Sequence, residues 1–209
     1  MSTKLLLVRH GEVEGIEPER FRGRRDLPLT ARGVAQAGAV ARQIAAHHRP
    51  AAIYASPLSR TIATAEAIAK PFNLPIERAP ELIDIDYGEW HGLSAAQART
   101  RWPDQVDLWY REPDRVQIPE GESLTGVLAR VAPVLEGIAR RHDGGLVVIV
   151  AHESVNRVIL LHALGAPLSS YWRIGQKPCC INEIDVRGGD SFLVVRMNDT
   201  AHLETLEHA

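Results

Sequence analysis

The chain has 209 residues, a formal net charge of -2 and two cysteines, which suits one well-filled α/β domain and is short for two. The near-neutral charge carries no global signature for nucleic acid or a membrane surface, no apolar run approaches the roughly 18 residues of a membrane span, and the apolar run after Lys4 ends too soon at Arg9 for a signal peptide. Cys179 and Cys180 are neighbours, too close for an ordinary disulfide with each other, so the expectation is a reduced, cytoplasmic protein, monomer or homodimer, that binds neither nucleic acid nor membrane.

Leu5, Leu6, Leu7 and Val8 read as a short buried strand that runs into Arg9-His10-Gly11-Glu12. Thr30 reads as the N-cap of a helix over 31–47, whose apolar positions Val34, Ala37, Ala41, Ile44 and Ala45 keep helical spacing. Residues 51–55 form a short apolar strand ending at Ser56-Pro57, followed by a helix over 59–69 that Pro71 stops. A third strand is expected over 75–78 and an irregular, acidic, glycine-bearing loop over 84–92. The long helix over 123–142 holds Pro133 in its middle, which predicts a kink or break. Residues 146–151 form a buried strand, 155–164 a helix and 192–197 a last strand. This alternation implies one three-layer α/β/α domain over 1–209, with a mostly parallel sheet covered on both faces.

The chemistry-bearing residues stand where strands end. His10, with an arginine before it and a glycine after it, is placed as a nucleophile beside an anion site, where the arginine holds a dianion and Gly11 lets backbone N–H groups approach. Arg60 falls in the first turn of a helix, whose N–H groups favour an anion. His152 follows Val148-Ile149-Val150-Ala151, an apolar strand leading to a helix start, as at the opening of the chain. The carboxyl ends of parallel strands share one edge, so Arg9, His10, Arg60 and His152 can converge into a phosphate pocket that needs neither metal nor cofactor. The other histidines (47, 48, 91, 142, 162, 202 and 208) lack metal-site spacing, and most read as solvated. Cys179 and Cys180 read as small buried residues, and Glu122 and Ser123 as caps of the following helix.

Leu7-Val8-Arg9-His10-Gly11-Glu12, the stretch from Phe21 to Gly33, Ser56-Pro57-Leu58-Ser59-Arg60-Thr61, Tyr87-Gly88-Glu89-Trp90-His91-Gly92, Gly121-Glu122-Ser123 and Val150-Ala151-His152 occur in that order. Together they resemble the histidine phosphatase superfamily, the phosphoglycerate mutase-like fold, over nearly the whole chain. The resemblance implies a phosphomonoester dianion gripped by Arg9, Arg60 and His152. Neutral His10 attacks phosphorus in line to give a phosphohistidine, with a backbone carbonyl orienting its ring, and a carboxylic acid protonates the leaving alcohol. Arg22 and Ser154 are expected to reach substrate, and Asn182 to lie near the pocket mouth. Arg22, Arg24 and Arg25 read equally as a solvated charge run.

The chain departs from the family pattern at three places. Counting back from Gly88, Asp84 stands where small phosphatases of the family carry a glutamate proton donor; it reaches less far by about 1.5 Å, and Glu81, Asp86 and Glu89 are the alternatives. Ile16 replaces a phosphate-binding asparagine. Glu153-Ser154 replaces a Gly-Gly pair, and a carboxylate there would repel phosphate unless turned away. The segment over 94–119, with Trp102, Trp109 and Tyr110, is either a cap over the pocket or a helical excursion packed on the domain. Being shorter than in the mutases, it favours a metal-independent phosphatase acting on a small phosphorylated metabolite. The alternatives are a phosphoglycerate mutase-type phosphotransferase and a phosphohistidine protein phosphatase or phospho-ligand binder.

Overall fold

The computed structural model describes residues 2–14, 16, 19–188 and 190–207; His208 lies outside them. The order is β1 (Ser2–Arg9), α1 (Ala31–His47), β2 (Ala52–Ala55), α2 (Ser59–Ala69), β3 (Ile76–Arg78), α3 (Ala95–Arg101), α4 (Pro103–Arg111), α5 (Leu124–Arg141), β4 (Leu146–Ala151), α6 (Glu153–Ala163), β5 (Ile181–Arg187), β6 (Ser191–Asp199) and α7 (Glu204–Glu207), with short 3-10 turns between. One sheet runs β3-β2-β4-β1-β5-β6. Its first four strands are mutually parallel, and β5 and β6 close the other edge antiparallel.

The alternation of side chains along β1 and β4 explains the layers. Leu6, Val8, Val148 and Val150 face α1 and α2, where Val40, Ile44, Ala65 and Ile68 complete one core. Leu5, Leu7, Val147 and Ile149 face the other side, where α5 and α6 bring Val131, Leu135, Val155 and Ile159. Both faces of the central strands are covered, so these strands read as continuous apolar runs.

β5 goes beyond the strands expected from the sequence, because Asn182, Glu183 and Asp185 break its apolar pattern. The fold gives all three partners: the Asn182 amide donates to Leu7 O at 2.9 Å, and Glu183 and Asp185 pair with Lys4 of β1. Of the kink or break expected at Pro133, no break is made; α5 runs unbroken through it. Pro133 is exposed, while Val127, Val131, Leu135 and Ile138 hold the opposite face against the sheet, so packing outweighs one missing backbone bond. The helix expected over 155–164 begins earlier, at Glu153, which places Glu153 and Ser154 in its first turn. Thr30 caps α1 by accepting from Gly33 N, as its position predicts.

Candidate active site

Pairing of β1 with β4 sets Arg9 beside Ala151, and the His10 N–H donates to Ala151 O at 3.1 Å. The two strand exits therefore present His10 and His152 side by side, with ring centroids 5.2 Å apart. Arg60 enters from α2 and donates from Nε to His10 Nε2 at 3.2 Å. Asp84, on the loop after β3, sets Oδ2 3.2 Å from Arg60 Nη2 and 3.7 Å from His152 Nδ1. All five of Arg9, His10, Arg60, Asp84 and His152 are buried.

The protonation pattern follows from the partners. Gly11 O can only accept, so His10 Nδ1 carries the proton, at 2.7 Å, and Nε2 is left with its lone pair. Burial, then the Arg60 and Arg9 guanidiniums, holds the His10 pKa well below the ordinary histidine value. Burial likewise depresses His152, aided by Arg60 and His10. Asp84 is pushed up by burial against the opposing pull of Arg60 and Arg22, which suits a carboxyl that must hold a proton before giving it away. Its Oδ1 accepts from Ile85 N at 2.9 Å.

His10, Arg22, Asp84, Glu153 and Ser154 line one cavity, walled by Tyr87, Trp109 and Tyr171. Arg9, Arg60 and His152 do not line it but touch residues that do: Glu153, His10 and Asp84 respectively. Arg9 Nε and His152 Nδ1 are buried without a hydrogen-bond partner among the described residues. Such donors and acceptors are costly unless a ligand meets them, and next to His10 they fit an oxyanion. No group of three or more His, Cys, Asp or Glu side chains that could hold a metal ion occurs among the described residues.

Two expected contacts are relocated. The Gly11 N–H donates to Thr64 Oγ1 at 3.1 Å and does not face the cavity. Glycine is required there for another reason: a Cβ would fall 2.5 Å from Gly33 O. Asn182 is fully buried behind β1, accepts from Asn198 N and Gln176 Nε2 at 2.8 and 2.7 Å, and does not line the cavity. The start of α2 is also occupied, since Asp26 Oδ1 accepts from Ser59 N at 2.8 Å.

Glu153 turns inward, toward arginines. Its carboxylate lies 2.9 Å from Arg9 Nη2, 3.9 Å from Arg22 Nη2 and 2.8 Å from Arg157 Nη2, so the repulsion expected of it is weakened by paired guanidiniums. The Arg157 pairing was legible as an i,i+4 spacing on α6; the Arg9 pairing was not. Sequence reasoning also missed Ser56, whose Oγ bonds His152 Nε2 at 2.7 Å, and Tyr87, whose hydroxyl meets Ser154 Oγ at 3.3 Å. Of the segment over 94–119, Trp109 reaches the cavity, packed edge-on against Trp90 and Tyr87. Among the remaining described histidines only His47 is exposed; His142 and His202 bond Tyr54 and the Cys179 carbonyl, both at 3.0 Å.

Residues 5–200 match the model of the histidine phosphatase superfamily (branch 1). The chain is 34% identical over 200 residues to phosphoserine phosphatase 1 of Hydrogenobacter thermophilus, covering 96% of this chain and 94% of that protein. It is 37% identical over 169 residues to a 2,3-bisphosphoglycerate-dependent phosphoglycerate mutase of Methylobacterium sp. (strain 4-46), covering 77% of this chain and 80% of the mutase. Among solved structures, Bacillus stearothermophilus YhfR superposes with a TM-score of 0.91 at 30% identity, covering 97% of this chain and 100% of that one.

Proposed function

The chain belongs to the histidine phosphatase superfamily, and from that membership we propose that it is a phosphoric monoester hydrolase passing the phosphoryl group of a small ester through His10 to water. The observation that carries this reading is the His10 imidazole, held neutral with its Nε2 lone pair facing Arg60 and its Nδ1 proton on Gly11 O. Arg9, Arg60 and His152 take the charge of the nonbridging oxygens, which needs no metal. His10 Nε2 forms a bond to phosphorus as the ester P–O bond breaks, and the leaving oxygen takes the Asp84 proton. The Asp84 carboxylate then removes a proton from water, whose oxygen attacks phosphorus. The N–P bond breaks, inorganic phosphate leaves and His10 and Asp84 return to their starting states.

Arg22, Ser154 and the hydroxyl of Tyr87 face the leaving group, with Trp109 from the segment over 94–119 as the wall above it. Phosphoserine, the substrate named for the Hydrogenobacter relative, is the first ester to try. The buried free thiols of Cys179 and Cys180 support a reducing compartment, the cytoplasm, and no helix among the described residues is long and apolar enough to cross a membrane. Turnover of phosphoserine and p-nitrophenyl phosphate in EDTA, lost in His10→Ala together with any acid-labile phosphoprotein, tests the reading. Full activity of His10→Ala would overturn it. The mutase match favours one second reading, phosphate transfer between hydroxyls of one metabolite; a bisphosphoglycerate-dependent isomerisation assay separates the two.

A further inference from the structure

The loop that carries Asp84 is gripped from behind by a cluster of charged side chains, none of which lines the cavity. Glu122, just before α5, is its centre. Its own N–H donates to Asp86 O at 2.9 Å, and its Oε2 accepts from Asp86 N at 3.0 Å. Arg130 of α5 meets the Glu122 carboxylate with two parallel bonds, Nε to Oε1 at 2.9 Å and Nη2 to Oε2 at 3.0 Å. The same Nη2 reaches Asp84 O at 3.3 Å, and Nη1 donates to Glu81 O. From the opposite side Arg24 donates from Nε to Asp84 O at 3.3 Å and pairs with Asp86 and Glu122, each at 3.1 Å. Two guanidiniums thus converge on one backbone carbonyl, that of Asp84.

We infer that Glu122 and Arg130 are positioning residues for the proton donor, fixing the Asp84 backbone so that its carboxyl stands beside Arg60 and His152 in the cavity that His10 lines. The inference rests on Asp84 being the acid. An aspartate has one rotatable bond fewer than a glutamate with which to correct a displaced loop, so its placement must come from the main chain. Misplacement of about 1 Å at a reacting group costs on the order of a hundredfold in rate. Bidentate arginine–carboxylate pairing supplies the geometric definition that a lysine would not.

The test compares kcat/KM on phenyl phosphate, whose leaving group needs a proton, with p-nitrophenyl phosphate, whose leaving group needs it far less. Asp84→Asn should lose about tenfold or more on the first relative to the second. Arg130→Met should show the same bias, with Arg130→Lys recovering part of it. Added to Asp84→Asn, Arg130→Met should cost nothing further, because it acts only through the acid. Glu122→Gln, which keeps side-chain shape, gives the same comparison should Arg130→Met not fold. Arg130 and Glu122 losses that are equal on both esters, absent, or additive with Asp84→Asn would overturn the positioning role alone. An Asp84→Asn loss equal on both esters would instead remove Asp84 as the acid, and the inference with it.

Discussion

Arg60 Nε donates to His10 Nε2 at 3.2 Å while Nη2 of the same guanidinium lies 3.2 Å from Asp84 Oδ2, so one planar group ties the proposed nucleophile to the proposed proton donor. Its other bonds, to Arg25 O at 2.8 Å and Gly23 O at 2.7 Å, lock it against the loop before α1. A lysine keeps the charge but cannot reach these partners at once. Arg60→Lys should therefore lower kcat/KM on any phosphomonoester by roughly a hundredfold, about 2.7 kcal/mol of barrier. Steady-state kinetics within threefold of wild type would show that charge alone is what the site requires.

Asp84→Glu asks whether the pocket has been built around the shorter acid. Asp84 is buried, with Oδ1 taken by Ile85 N and Oδ2 by Arg60. An added methylene must displace one of these partners or push into the cavity, and overpacking costs about 1–3 kcal/mol. The expected result is a melting temperature below wild type and a kcat down by about tenfold or more. Wild-type kinetics in this variant would show that the loop adjusts freely to acid length.

Glu153 holds Arg9 at 2.9 Å and, on the proposed mechanism, competes for the guanidinium that takes the charge of an incoming phosphate. Glu153→Gln removes the charge and keeps the shape. Inhibition by inorganic phosphate should then strengthen, by roughly three- to tenfold for a like charge withdrawn near the surface of the site. An unchanged or weaker inhibition constant would mean that the carboxylate orients Arg9 for the anion and does not compete with it.

His10 and His152 both have pKa values well below the unfolded value of 6.5, each chiefly through burial. As pH falls through 6.5 the unfolded chain takes up protons that these folded imidazoles refuse, so stability is lost on acidification. Each contributes a slope of about 1.4 kcal/mol per pH unit until its folded value is reached. Urea unfolding between pH 7.5 and about 5 should show this fall, and His152→Gln should show a shallower one. Equal slopes in the two proteins would mean that His152 titrates alike folded and unfolded.

The residues at the strand exits were readable before any coordinates. Parallel strands separated by helices bring their carboxyl ends to one edge, so the convergence of Arg9, His10, Arg60 and His152 was open to view once the alternation was seen. Short continuous apolar runs and helices with a stripe of Val, Ile, Leu and Ala are local signals. They survive in one dimension because each element buries its own face.

What stayed hidden depends on partners distant along the chain. β5 could not be seen because Asn182 and Glu183 look like surface residues until Leu7 O and Lys4 are set beside them. The inward turn of Glu153 follows from Arg9 and Arg22 arriving at the start of α6, and the grip on Asp84 from α5 bringing Arg130 to the loop after β3. The amino-acid order alone decided the alternation of the central strands and helices and which edge of the sheet carries chemistry. Only tertiary packing decided which polar group satisfies which, because a buried charge takes the partner that the fold puts within hydrogen-bond reach.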